Sequence, residues 1–164
     1  SGIIFSQERK DAGFRSALCA DVERPDLKPF IPRNLRHFMP EEAQYAYMAT
    51  RSALENAKLD QDYMDRNEIG IIYGNDSVAE ATMQALDKFR EFKDTSACGS
   101  GAIFQSMNST VTMNLACLFK LRGINLTASA ACASGSQAIG LAYTLIRSGM
   151  QDCIICGGAP NDIK

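Results

Sequence analysis

A cysteine at the junction of a predicted strand and a predicted helix is the group best suited to chemistry in this chain. Cys132 follows a β-prone run, stands among small residues, and precedes an amphipathic stretch that begins near Gly135. A thiol on such a turn lies above the free N–H groups and the positive dipole end of the helix, which favours the nucleophilic thiolate. A small buried cysteine beneath a helix is the alternative, because most free cysteines are core residues. The residues alone leave both interpretations open.

Two other patterns could carry chemistry, and each has a simpler interpretation. Cys153 and Cys156 form a C-x-x-C spacing, which in other settings marks a redox pair or half of a zinc site. Here the spacing falls in an apolar strand, where side chains three residues apart point to opposite faces. His37, the single histidine, could act as a general base, but a satisfied or solvent-facing residue fits its position better. We therefore predict no metal and no cofactor.

Composition places the chain among ordinary globular proteins. It has 164 residues, 46% hydrophobic and 22% charged, with a net charge of −2, which fits one domain and argues against a nucleic-acid partner. No apolar run reaches the ~18–20 residues that span a bilayer, and the first residues lack a signal-peptide pattern. The six cysteines are scattered rather than clustered, which indicates reduced thiols and a cytoplasmic location.

Strand and helix patterns alternate along the second two-thirds of the chain. Gly74, Asn75 and Asp76 end the first apolar strand, and Ser77 to Glu80 form a capping box for the helix that follows. Acidic residues 60–65 are predicted to form a solvated loop. The predicted strands are 69–73, 124–128 and 152–156, and the predicted helices are 40–58, 77–92, 103–121, ended by a left-handed Gly123, and 133–148, ended by Gly149. This order predicts an α/β fold with a mixed, mostly parallel sheet layered with helices.

The motif around the cysteine resembles a known family. The run SAACASG at residues 129–135 is similar to the nucleophile motif of the β-ketoacyl-acyl-carrier-protein synthases, and most of all to the elongating condensing enzymes of type II fatty-acid synthesis. Residues 147–159 resemble that family's helix end and next strand, and residues 119–123 resemble the segment before its nucleophile strand. Even residues 1–6 resemble an internal stretch of those enzymes, so the likeness covers essentially the whole chain.

The resemblance implies a thiolase-like fold, a homodimer and a two-stage acyl transfer. Cys132 would take an acyl group from an acyl-carrier protein, and its backbone N–H would form part of an oxyanion hole. A malonyl-carrier protein would then lose carbon dioxide and attack the acyl-cysteine, which gives a 3-oxoacyl product two carbons longer. Met107, on the family's third helix, matches a position that lines the acyl pocket near the dimer contact. The implied enzyme class is an acyltransferase without a metal or cofactor.

The chain also departs from the family pattern. The family's two catalytic histidines, its lysine and its gating loop belong to a second half, beyond Lys164, and its first strand and helix precede Ser1. We therefore expect residues 1–164 to be a single partial domain that is inactive in condensation by itself. The alternative is a non-catalytic dimer partner or chain-length subunit of a ketosynthase, although such partners generally lack the cysteine found here at position 132.

Overall fold

A parallel three-stranded sheet forms the centre of the computed structural model, which describes residues 2–20, 22–76 and 78–159. Its order is β4–β3–β5, with β3 at Ile69–Gly74, β4 at Asn125–Ala128 and β5 at Cys153–Gly158. All six residues of β3 are buried, as expected for a central strand with helices on both faces. The predicted α/β fold with a mostly parallel sheet is confirmed.

The remaining elements surround this sheet or precede it. A short antiparallel ribbon pairs β1 (Ile4–Phe5) with β2 (Leu18–Cys19). The helices are α1 (Gln7–Asp11), α2 (Arg33–Arg36), α3 (Glu41–Ala57), α4 (Gln61–Arg66), α5 (Ala79–Phe92), α6 (Ala102–Gln105), α7 (Thr110–Phe119) and α8 (Ser134–Arg147), with 3₁₀ turns at Thr95–Cys98 and Ala131–Ala133. Over the described ranges, none of these helices has the length and apolar character needed to cross a bilayer.

Alternate residues of β3 face two different helical layers. Ile71 and Tyr73 pack in a core cluster with residues of α3 and α7. Ile72 packs on the other face against Ala138 and Ala142 of α8. Since successive strand residues point to opposite sides, one short apolar strand joins both layers. The fold therefore holds α8 on one side of the sheet and α3 with α7 on the other.

Glycines let the first turn of α8 touch the strand backbone directly. A Cβ added to Gly74 at the end of β3 would lie 2.2 Å from the Ser134 carbonyl carbon and 2.4 Å from the Gly135 nitrogen. A Cβ added to Gly158 in β5 would lie 2.8 Å from the Gly135 Cα. Gly158 therefore lies at a close backbone approach, and β5 continues through this glycine rather than turning there.

One predicted helix and one predicted loop are wrong. The predicted helix 103–121 is broken at residues 106–109, where Ser106 Oγ donates to the Ile103 carbonyl and Thr112 Oγ1 donates to the Ser109 carbonyl. Such local side-chain bonds compete with a continuous helix. The predicted acidic loop instead contains α4, whose first turn is capped by Asp60 Oδ1 accepting from the Tyr63 N–H at 2.8 Å.

Helix ends also differ from the sequence prediction. Three helices, α3, α5 and α7, end at lysines in the left-handed conformation, namely Lys58, Lys93 and Lys120, with φ of 56°, 51° and 55°. Gly123 is therefore not the cap of α7; a Cβ there would lie 2.7 Å from the Gly70 nitrogen, so this glycine serves a close approach to β3. Gly149, with φ of 71°, follows α8 as predicted. The capping box rests on Ser77, which lies outside the described residues.

The contact between Gly74 and α8 can be tested by one methyl group. Gly74→Ala should lower the free energy of unfolding by about 3 kcal/mol, because both neighbours are backbone and cannot rotate away. The matched control is Gly140→Ala within α8, where an added Cβ meets nothing within 4 Å. This control should be neutral or stabilising by up to about 1 kcal/mol. Equal effects of the two substitutions in urea denaturation would contradict the contact.

Candidate active site

The chain reverses sharply between β4 and α8, and Cys132 lies in that reversal. Ala130 has φ −155° and ψ 43°, and Ala131 has a φ of 45°, the left-handed region that alanine rarely adopts. The 3₁₀ turn Ala131–Ala133 then leads directly into α8 at Ser134. Cys132 is exposed and free. Its side chain is therefore accessible to a reagent or substrate rather than sealed in the core.

Ser134 ties the turn to the start of α8. Its side chain is almost fully buried, and its Oγ accepts the Ala130 N–H at 2.8 Å and donates to the Ala131 carbonyl at 2.7 Å. No side chain caps α8, since Ala133 occupies the capping position. The first N–H groups of this helix can therefore interact with a negatively charged group close to Cys132.

Asp76 approaches the same turn from the end of β3. Its carboxylate accepts a hydrogen bond from Ser129 Oγ and another from the Ala131 N–H. These two bonds, the Ser129 hydroxyl first, hold the pKa of the Asp76 carboxyl below its usual value. The carboxyl ends of neighbouring parallel strands meet at one edge of a sheet, which is why residues 76 and 129 lie side by side although 53 positions separate them.

Met107 lies in the break between α6 and α7 and not on a continuous third helix. Its side chain is 41% exposed, and its carbonyl accepts the Thr110 N–H at 2.9 Å. The next residue, Asn108, is fixed to the sheet because its carbonyl accepts a hydrogen bond from Asn75 Nδ2 at 2.9 Å. Asn75 precedes Asp76, so one strand end contacts both the segment that carries Met107 and the turn that carries Cys132.

The other candidates from the sequence do not join this site. His37 is an exposed residue at the end of α2, where its ring meets Phe38 edge-on at 5.6 Å and its carbonyl accepts from Gln105 Nε2 at 2.6 Å. Cys153 pairs in register with Ile69 and Cys156 with Ile72. Because Ile69 and Ile72 pack in clusters on opposite sides of the sheet, the two thiols also point to opposite sides, as predicted.

The thiols of the C-x-x-C spacing have an environment unlike that of a redox pair. Partial burial raises the pKa of Cys153 and of Cys156, which disfavours the reactive thiolate. Both are free cysteines on β5. Within the described ranges, no three or more His, Cys, Asp or Glu side chains are grouped so that they could hold a metal ion.

Sequence reasoning found the cysteine but missed the polar residues that hold its turn. The sequence pattern identifies Asn75 and Asp76 only as the end of a strand, and Ser129 and Ser134 only as small neighbours of Cys132. A usable signal existed, because polar residues directly after two parallel strands are expected at the same sheet edge. The strand order β4–β3 supplies the missing information, since it makes the ends of these two strands neighbours.

A buried carboxyl group lies near the same ends of β3 and β5. Glu42 of α3 is 5% exposed and lines a cavity of about 140 Å³ with Tyr73, Gly158 and Ala159. Burial raises the pKa of Glu42 to about 7 against the opposing effect of a backbone hydrogen bond, and the negative charges of nearby glutamates add to the increase. In the folded protein, the Glu42 carboxyl therefore stays protonated at pH values at which an exposed glutamate is already ionised.

Glu42 should make stability fall as pH rises through the range from about 4.5 to about 7. Its raised pKa means that the folded state binds more protons than the unfolded state in this pH range. The free energy of unfolding is therefore higher below pH 4.5 than above pH 7, by up to about 3 kcal/mol. In Glu42→Gln this pH dependence of the unfolding midpoint should disappear. The matched control, Glu91→Gln on the exposed part of α5, should retain it; an unchanged slope in Glu42→Gln would contradict the assignment.

Comparison with known proteins relates this chain to the beta-ketoacyl synthases. The family model described as "Beta-ketoacyl synthase, N-terminal domain" matches residues 15–164. A relative named 3-oxoacyl-(acyl-carrier-protein) synthase 1 from Haemophilus influenzae is 34% identical over 162 residues, which cover 97% of this chain and 39% of that protein. The chain thus spans about two-fifths of the length of such curated relatives.

Solved structures share the arrangement of elements. A beta-ketoacyl synthase from Burkholderia phymatum superposes with a TM-score of 0.74 at 27% identity, over 92% of this chain and 37% of that chain. A ketosynthase of a type II polyketide system, solved in complex with its acyl-carrier protein, superposes with a TM-score of 0.77 over 87% of this chain and 41% of that chain. The latter is 23% identical and is evidence for the fold alone.

Proposed function

The chain belongs to the beta-ketoacyl synthase family, by its N-terminal domain, and from this premise we propose that it carries the acyl-accepting nucleophile of a 3-oxoacyl-acyl-carrier-protein synthase. Membership confirms the resemblance found in the sequence, and the structural neighbours confirm the thiolase-like fold. The observation that carries the proposal is the exposed Cys132, directly after the left-handed Ala131 and in the turn that leads into α8.

The proposed reaction begins with transfer of an acyl group. The Cys132 sulfur attacks the carbonyl carbon of the acyl thioester, and the C–S bond to the carrier protein breaks, so that the carrier thiol leaves with a proton. Negative charge develops on the carbonyl oxygen during this step, and in this proposal the Cys132 backbone N–H at the start of α8 stabilises it. The product of this half-reaction is an acyl-cysteine and a free carrier protein.

Condensation is the second half of the proposed reaction. A malonyl-carrier protein loses carbon dioxide, and the resulting carbanion attacks the acyl carbonyl on Cys132. The C–S bond breaks, the thiolate is released, and the 3-oxoacyl product is two carbons longer. Decarboxylation requires hydrogen-bond donors at the developing enolate oxygen. His37, with its contacts to Phe38 and Gln105, does not supply them, so we expect residues 1–164, a partial domain in this proposal, not to condense by themselves.

The proposed partners are an acyl-carrier protein and a second copy of the protein. The names of the curated relatives support the carrier protein. The homodimer is supported by β4, which occupies an edge of the described sheet and carries an exposed Leu126. Further apolar surface indicates that other parts of an assembly cover this chain: the large apolar side chains exposed on α5 are Met83, Leu86, Phe89 and Phe92.

A chain-length subunit without condensing activity is the alternative function. Such a subunit would share the fold and the family match, so neither distinguishes the two. Cys132 distinguishes them, because a subunit that only shapes the acyl pocket has no use for an exposed thiol directly after a strained, left-handed residue.

Acylation of Cys132 is the direct test of the proposal. The intact protein, incubated with an acyl-carrier thioester, should gain the mass of one acyl group, mapped by peptide mass spectrometry to Cys132. Cys132→Ala should abolish this adduct because the nucleophile is removed. Cys117→Ala removes another exposed thiol, on α7, and should acylate like the unaltered protein. An adduct spread over several cysteines, or its persistence in Cys132→Ala, would refute the proposal and favour the alternative.

Met107 is proposed to line the pocket for the acyl chain. Its position in a segment fixed to β3 through Asn75 and Asn108 supports this role. Met107→Trp should slow acylation of Cys132 by long acyl chains while leaving short chains nearly unaffected, because the larger ring shortens the pocket. Met150→Trp, at another exposed methionine, is the control and should not alter the dependence on chain length. The same loss for short and long chains in Met107→Trp would argue against a pocket role.

A further inference from the structure

We propose that Asp76 is a positioning residue that fixes the turn carrying Cys132. This role rests on the proposed function only in taking Cys132 as the group that reacts. Asp76 is not one of the residues implied by the family resemblance, and the proposal comes from the hydrogen bonds that its carboxylate makes at the end of β3.

The turn needs restraint because its backbone is strained. Ala131 has a φ of 45°, a conformation that costs an L-residue with a Cβ roughly 1–2 kcal/mol. Such a conformation persists only where surrounding contacts hold it. The turn is short and, apart from Cys132, made of alanines, so no hydroxyl, amide or carboxyl side chain within it can hold it.

Two elements provide the restraint from opposite sides. From α8, Ser134 Oγ donates to the Ala131 carbonyl and accepts the Ala130 N–H. From β3, Asp76 accepts the Ala131 N–H and the Ser129 hydroxyl. The donor and the acceptor of the strained residue are thus bound by different elements, and its peptide groups cannot rotate without breaking one of these bonds.

Asp76 is well suited to accept both bonds at neutral pH. The bonds from Ser129 and Ala131 keep the pKa of its carboxyl below the usual value, so it remains ionised and accepts hydrogen bonds only. Its position is set by β3, whose buried residues pack against both helical layers. The rigid strand therefore restrains the turn that contains Cys132 through the Asp76 side chain, in addition to the bonds from Ser134.

The experiment compares the labelling rates of two thiols within the same intact protein. Iodoacetamide modification of Cys132 and of Cys117, both exposed, is followed by peptide mass spectrometry in the unaltered protein and in variants. Asp76→Ala should slow labelling of Cys132 about fivefold relative to Cys117, a modest effect because the hydrogen bonds are partly solvent-exposed. Asp76→Asn retains an acceptor for Ala131 and a group that can pair with Ser129, and should restore most of the rate.

A second aspartate in the chain provides a matched control. Asp94 accepts hydrogen bonds from the Ser96 hydroxyl and the Ser96 N–H at the start of the 3₁₀ turn Thr95–Cys98, and these bonds lower the pKa of its carboxyl as well. Asp94→Ala removes the same chemistry away from Cys132, so the ratio of the two labelling rates should not change. Ser129→Ala removes one of the two bonds of Asp76 and should give a smaller decrease than Asp76→Ala.

Three results would overturn the proposal. The first is an unchanged labelling rate of Cys132 in Asp76→Ala. The second is an equal decrease in the labelling rate of Cys117 in that variant, which would indicate general loosening of the fold. The third is a Cys132 labelling rate in Asp76→Asn that is as low as in Asp76→Ala. Each is independent of carrier-protein acylation. If Cys132 takes no acyl group but the expected labelling pattern appears, the proposed function fails and the role of Asp76 stands; acylation with an unchanged ratio gives the reverse conclusion.

Discussion

Direct contact between strand backbone and helix backbone is the constraint on which the rest of this structure depends. The first turn of α8 rests on Gly74 of β3 and Gly158 of β5 without any intervening side chain. Backbone atoms have no rotamers through which to yield, so this contact fixes the height of α8 above the sheet within a few tenths of an ångström. Everything that the turn before α8 presents to solvent, Cys132 included, takes its position from that contact.

One strand end combines this packing contact with two polar ones. Gly74 carries α8, Asn75 binds the carbonyl of Asn108, and Asp76 accepts hydrogen bonds from the turn of Cys132. The buried residues of β3 hold the strand in place. Three consecutive residues at its carboxyl end then contact α8, the segment between α6 and α7, and the turn that contains Cys132. The Met107 segment and the Cys132 turn are therefore held by the same strand end. A substrate that contacted both would not have to order them relative to each other, which reduces the entropic cost of binding.

Sequence patterns were sufficient for the parallel sheet and for the strand-to-helix turn that contains Cys132, and insufficient where polar residues decide the backbone path. The three strands of the parallel sheet and α8 were predictable because apolar runs and glycine stops indicate burial on both faces, whereas β1 and β2 were not predicted. The break at residues 106–109 and the helix α4 were not, because serine, asparagine and aspartate favour helix caps and loops alike. The role of Asp76 depends on which strands are neighbours, information that is absent from any local window.

The three lysines that end α3, α5 and α7 affect the stability of these helix ends in a way that depends on ionic strength. At Lys58, Lys93 and Lys120 the left-handed backbone works against an L-residue, whereas the positive side chain lies near the negative end of the helix dipole. Dissolved salt screens the favourable attraction but leaves the steric cost unchanged. The last turns of these helices therefore lose stability as ionic strength rises, and concentrated salt should fray them before it disturbs the apolar strands.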